Sequence, residues 1–125
     1  MAPYSVRATA LAMGVSSKWL DNLLSHHDVV GVVGSSRGTA RVIDDAGLVA
    51  IAICRELSVE LGVPLSRAVT IANDIAIEET EVSRRTFGGA IAIDVNRIAL
   101  ARRLSERMSD ASEAVAHIRR GRPRT

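Results

Sequence analysis

The chain has 125 residues, 47% of them hydrophobic, with a formal net charge of +2 and a single cysteine. That length suits one compact domain or two very small modules. The lone Cys54 excludes an intramolecular disulfide and a thiolate metal cluster, and suits a reducing cytoplasm. No uncharged apolar run approaches ~20 residues, so no membrane span is expected. The opening MAPYSVRATALAMG lacks a charged region followed by a long apolar one, so no signal peptide is read. Aromatics are 2% (Tyr4, Trp19, Phe87), so the core must be aliphatic. All basic residues but Lys18 are arginine. With so small a net charge, the position of charge matters more than its total.

Residues 1–4 read as a short extended lead. Residues 5–27, SVRATALAMGVSSKWLDNLLSHH, read as two short helices around a tight turn. Ser5 can cap the first. Val6, Ala10 and Met13 recur at helical spacing, with Leu11 flanking the stripe. Gly14 suits the left-handed stop, Val15 can fill the gap between the helices, and Ser16 can cap the second. Leu20, Leu23, Leu24 and His27 form its inner face; Lys18, Asp21, Asn22 and Ser25 fall on the opposite arc. This is helix-turn-helix spacing, although two capped helices around a glycine also occur in many helical proteins.

Residues 29–43 cluster β-branched residues at both ends around a tip at 34–38, which predicts a β-hairpin carrying Arg37 on its tip and Arg41 on its return strand. Asp44 then caps a nearly all-apolar helix over 45–61, closed by Gly62. After a connector at 63–65, Ser66 caps a helix over 67–77. Residues 78–89 are polar, and Gly88–Gly89 form a turn. Residues 90–93 are a short strand, and Asp94 caps a helix over 95–108. The order strand, aspartate cap, aliphatic helix thus occurs twice, which suggests a repeated unit. Asp110 and Glu113 signal a break in that last helix. Alternatively it runs on, with Leu104, Met108, Ala111, Val115 and Ile118 as a coiled-coil seam. Residues 119–125 read as a disordered basic tail.

The turn and second helix, GVSSKWLDNLL (14–24), resemble the G-[VL]-[ST]-x-x-T-[LI]-R-x-[YW] segment of the MerR family of bacterial regulators. RVIDDAGL (41–48) resembles that family's R-x-Y-[ST]-x-x-[DH]-[LI] segment, and GVPL (62–65) its turn into the second helix pair. The resemblance covers residues 5–77. The chain departs from the pattern at Asp21 and Leu23, where the family has arginine and an aromatic, and at Ile43, where it has tyrosine. Gly88–Gly89 interrupt the region where effector-controlled members carry a long dimer helix. The resemblance implies a winged helix-turn-helix, so the expected fold is mainly α with small β-hairpins. It divides into a winged helix-turn-helix domain (5–77), a dimerisation or partner-binding segment (78–118) and a basic tail (119–125).

On that reading Ser16, Ser17, Lys18 and Asn22 face the major groove. Lys18 can donate to guanine, and Asn22 matches adenine as both donor and acceptor. Arg37 and Arg41 meet the backbone or minor groove from the hairpin. Asp21 repels phosphate unless it pairs with a nearby arginine or accepts from cytosine. In the tail, Arg120–Gly121–Arg122–Pro123 matches the core of an AT-hook, in which Arg120 and Arg122 enter an A·T-rich minor groove. The chain carries no nucleophile–base pair, phosphate loop or cofactor motif, so neither catalysis nor a cofactor is expected. His26 and His27 diverge around a helix, so no zinc site is read. The expected function is a cytoplasmic, nucleoid-associated DNA-binding transcriptional regulator, with repression favoured, acting as a homodimer on double-stranded DNA. Two alternatives are an antitoxin whose C-terminal half binds a toxin, and an excisionase-like architectural protein that bends DNA.

Overall fold

Ser5 opens the first helix as expected. Its backbone is extended and its hydroxyl oxygen accepts the Ala8 N–H at 3.1 Å. This helix, α1 (Val6–Met13), ends at Gly14, whose φ is 67°. Ser16 repeats the device for α2 (Ser17–His26), accepting the Trp19 N–H at 3.0 Å. The computed structural model describes residues 4–34 and 40–121. The remaining elements are β1 (Tyr4–Ser5), β2 (Val32–Val33), β3 (Val42–Ile43), α3 (Asp45–Arg55), a π-helical turn (Glu56–Glu60), α4 (Leu65–Ala76), β4 (Val82–Phe87), β5 (Ile91–Asn96) and α5 (Arg97–Gly121). The described chain is mainly helical with small antiparallel sheets.

The first sheet has the order β1-β3-β2, with Tyr4 and Val32 both registered against Ile43. The lead thus contributes a strand, and Ile43 becomes a fully buried centre between two neighbours. Behind it, Asp44 caps α3 by accepting the Gly47 N–H at 3.0 Å, and its own N–H donates to the Gly31 carbonyl at 2.9 Å. Gly31 has φ 74°, and a Cβ there would lie 2.0 Å from Asp44 Oδ1. Only glycine fits between this turn and the cap.

α3 is apolar on every side because it is covered on every side. All eight residues of Gly47–Cys54 are buried, with α4 on one flank and α1 and α5 on others. Burial pushes the Cys54 thiol up to about 11, which suits a small core residue. The helix expected over 45–61 changes pitch at Glu56. Leu61 N–H bonds the Glu56 carbonyl five residues back, at 3.2 Å, before Gly62 ends the turn.

Several expectations are corrected. Leu11, expected to flank the α1 stripe, turns away from it and is 51% exposed. Ser66 is not a cap, because α4 starts at Leu65 behind an extended Pro64, and Ser66 lies inside its first turn. The polar segment after α4 contains strand β4, paired with β5 from Val82↔Asn96 to Phe87↔Ile91. Asp94 caps nothing. It sits inside β5 and is bound by Arg84, while Asn96 Oδ1 takes over the cap by accepting the Ala99 N–H at 2.9 Å. The last helix runs unbroken over Arg97–Gly121, so the backbone of residues 119–121 is helical rather than a free tail. The first three members of its expected seam are used within the chain. α5 lies along α1, and Leu104, Met108 and Ala111 are buried there, the first two in the same cluster as Ala8, Ala10 and Met13.

Candidate nucleic-acid interface

Burial divides α2 cleanly. Leu20 and Leu23 are 0% exposed and Leu24 is buried, while Ser17, Lys18, Asp21, Asn22 and Ser25 are open to solvent. Of the expected contact residues, Ser16, Ser17, Lys18 and Asn22 therefore share one uncovered surface at the start and middle of the helix. Ser16 has a second task, since its oxygen is the cap acceptor. The Asn22 carboxamide is open. Its backbone carbonyl accepts from His26 Nδ1 at 2.8 Å, which holds that imidazole along the helix.

Arg41 is brought to the same surface, but in an unexpected way. Its guanidinium reaches back onto α2, with Nη1 3.5 Å from Asp21 Oδ1 and Nη2 donating to Ser25 Oγ at 3.0 Å. The side chain is only 21% exposed, against 56% for Asp21. Arg41 thus locks the return strand of the hairpin to the helix and neutralises Asp21, rather than standing free as a phosphate contact. The pairing offsets part of the repulsion that the Asp21 carboxylate would otherwise direct at a polyanion. Arg37 and Arg122 lie outside the described residues. Arg120 lies on the last turn of α5 by its backbone, and its side chain is outside the described part.

Two residues that tie elements together, only the first of them beside α2, escaped sequence reasoning. Asn73 on α4 accepts the Val30 N–H at 3.1 Å and donates to the Asp28 carbonyl at 2.7 Å, pinning the link between α2 and β2. Its partners are backbone groups more than forty positions away, so no local pattern could reveal it. Arg97 donates to the carbonyls of Ala76 at 2.9 Å and Thr80 at 3.0 Å, closing the end of α4 onto α5. Its only signal is a basic residue just after a strand.

The surface carries donors and neutral hydroxyls over a rigid helix, with one cation, Lys18, and one neutralised acid. This chemistry suits hydrogen bonding to base edges more than bulk charge attraction. Among the described residues no helix is long and apolar enough to cross a membrane. Compared with known proteins, the chain matches no family model, no curated relative and no solved structure.

Proposed function

We propose that this chain is a sequence-specific DNA-binding transcriptional regulator, acting as a repressor, built as a winged helix-turn-helix of the MerR-like kind over residues 5–77. α2 enters the major groove N-terminus first. Lys18 and Asn22 read base edges, and Ser16 and Ser17 contact bases or the adjacent backbone. The β2–β3 hairpin flanks the groove, with Arg37 toward the backbone, while Arg120, on the helical end of α5 rather than in an extended AT-hook core, and Arg122 contact the DNA backbone. Arg41 acts at one remove, by fixing the hairpin to α2. The protein binds as a homodimer, so its operator is an inverted repeat with half-sites about 34 Å apart.

The observation that carries this reading is the open outer arc of α2, polar throughout, on a helix whose inner arc is fully buried. Had later segments of the chain covered that arc, the reading would fail. Selection of bound sequences from random duplex DNA tests it. The expected result is one enriched, two-fold symmetric motif, with Asn22→Ala relaxing preference at a single base pair in each half-site, a change of about 1–3 kcal/mol. No enrichment would overturn it.

A further inference from the structure

Among the described residues, five arginines are committed to partners, while Arg7, Arg67, Arg102, Arg103 and Arg107 have no ion pair or hydrogen bond. Arg41, Arg55, Arg84 and Arg85 are in ion pairs, and Arg97 binds two carbonyls. On α5, Arg103 and Arg107 are exposed and have no ion pair or hydrogen bond among the described residues. They are four residues apart, so they project from one face, with about 5–6 Å between Cβ atoms. Both line a groove of about 370 Å³ between α1, α3 and α5. Its apolar lining includes Leu11, Met13 and Leu104, and its one carboxylate, Glu56, is paired with Arg55 at 3.2 Å. The groove reaches Gly14, two residues before the Ser16 cap of α2.

Unpaired guanidinium groups on an ordered helix are well suited to phosphate, which they bind bidentately. Here they sit beside the turn from which the exposed helix departs. We propose that Arg103 and Arg107 form a phosphate clamp that carries the DNA-contacting surface from α2 across the α1–α2 turn onto α5. This rests on the DNA-binding reading above, and it gives the C-terminal helix a direct role in affinity. The clamp is blind to sequence, because phosphates carry no base identity.

Salt dependence of duplex binding by the full chain is the test. Each phosphate contact contributes a slope of about 0.9 in log K against log salt. The R103Q/R107Q double variant is expected to lower the slope by nearly two units, each single variant by about one, with base preference unchanged. R102Q removes the same charge from an exposed neighbour outside the groove and is expected to leave the slope as it is. Arg103 and Arg107 are surface residues, so an unchanged thermal melt serves as the control for folding. An unchanged slope in the double variant overturns the clamp while leaving the DNA-binding reading intact. Failure of the unaltered chain to bind any duplex overturns both. Loss of a pyrophosphate-induced rise in melting temperature, with the DNA slope retained, assigns the pair to a free anion and overturns the clamp.

Discussion

Two hairpins in this chain each feed a helix, and they are anchored by different means. β2–β3 has strands of two residues and little pairing of its own. It is held by what surrounds it, namely β1 on one edge, the Gly31–Asp44 contact behind it, Asn73 below it and Arg41 across to α2. β4–β5 has strands of six residues and holds itself, through a full antiparallel ladder and a bidentate Arg84–Asp94 pair at 2.6 and 2.8 Å. Its link to the body runs through Ile93 and Val95, which pack against the core, through Arg85, which reaches Glu78 and Asp74, and through the helix that follows. The aspartate at the strand–helix junction shows the difference best. Asp44 caps α3, whereas Asp94, in the matching place of the sequence echo, is captured by a cross-strand arginine. A side chain's role at such a junction is set by the partner opposite it, not by its place in the run.

If the second unit is attached through α5 rather than through its hairpin, removing the Met108 side chain should do the most damage. Met108 is 0% exposed, and Met108→Ala is expected to cost roughly 2–5 kcal/mol in urea denaturation. A loss below about 1 kcal/mol would mean that α5 is not part of the shared core. The glycines of the two hairpins give the next contrast. Gly31→Ala meets Asp44 Oδ1 and the Gly47 nitrogen as well as an unfavourable φ. It should cost about 2–4 kcal/mol, combining backbone strain with a displaced cap. Gly88→Ala has the same sign of φ but open space around it, so about 1 kcal/mol is expected. Equal losses would erase the distinction between a hairpin held from outside and one that holds itself.

The smallest effect concerns pH. The Arg84 hydrogen bonds hold the Asp94 carboxyl below its ordinary range. A depressed folded-state value stabilises the hairpin above the unfolded aspartate pKa, and that contribution fades as pH falls through the folded value. Because both side chains are open to solvent, the readout is the titration rather than the stability. Asp94 carboxyl shifts followed by NMR should move upward in pH in Arg84→Gln, and an unmoved titration would remove the pair from the account.

Much of the first seventy-odd residues was legible because its signals are local. Ser5, Gly14, Ser16 and Asp44 start and stop elements through contacts within four residues, Gly62 through its left-handed backbone, and the leucine spacing of α2 marked its buried face. The readings that failed depend on distant partners. β4 was hidden because the inward face of VSRRTF carries Ser83 and Arg85 rather than an apolar row, and its partner is a strand further along the chain. The spacing of Leu104, Met108 and Ala111 announced an apolar row, but a row of that kind is satisfied equally by a second chain or by α1, and here α1 lies against it. Arg41 could be placed on the return strand, but its contact with Ser25 depends on how the strand docks.

The reading of α2 is most directly tested by mapping backbone amide shifts in the nitrogen-15-labelled chain during titration with the selected duplex. The strongest perturbations are expected over residues 16–25, with a second, weaker set at the α1–α2 turn and along the Arg103–Arg107 face. Perturbations confined to β4–β5, with α2 silent, would contradict it.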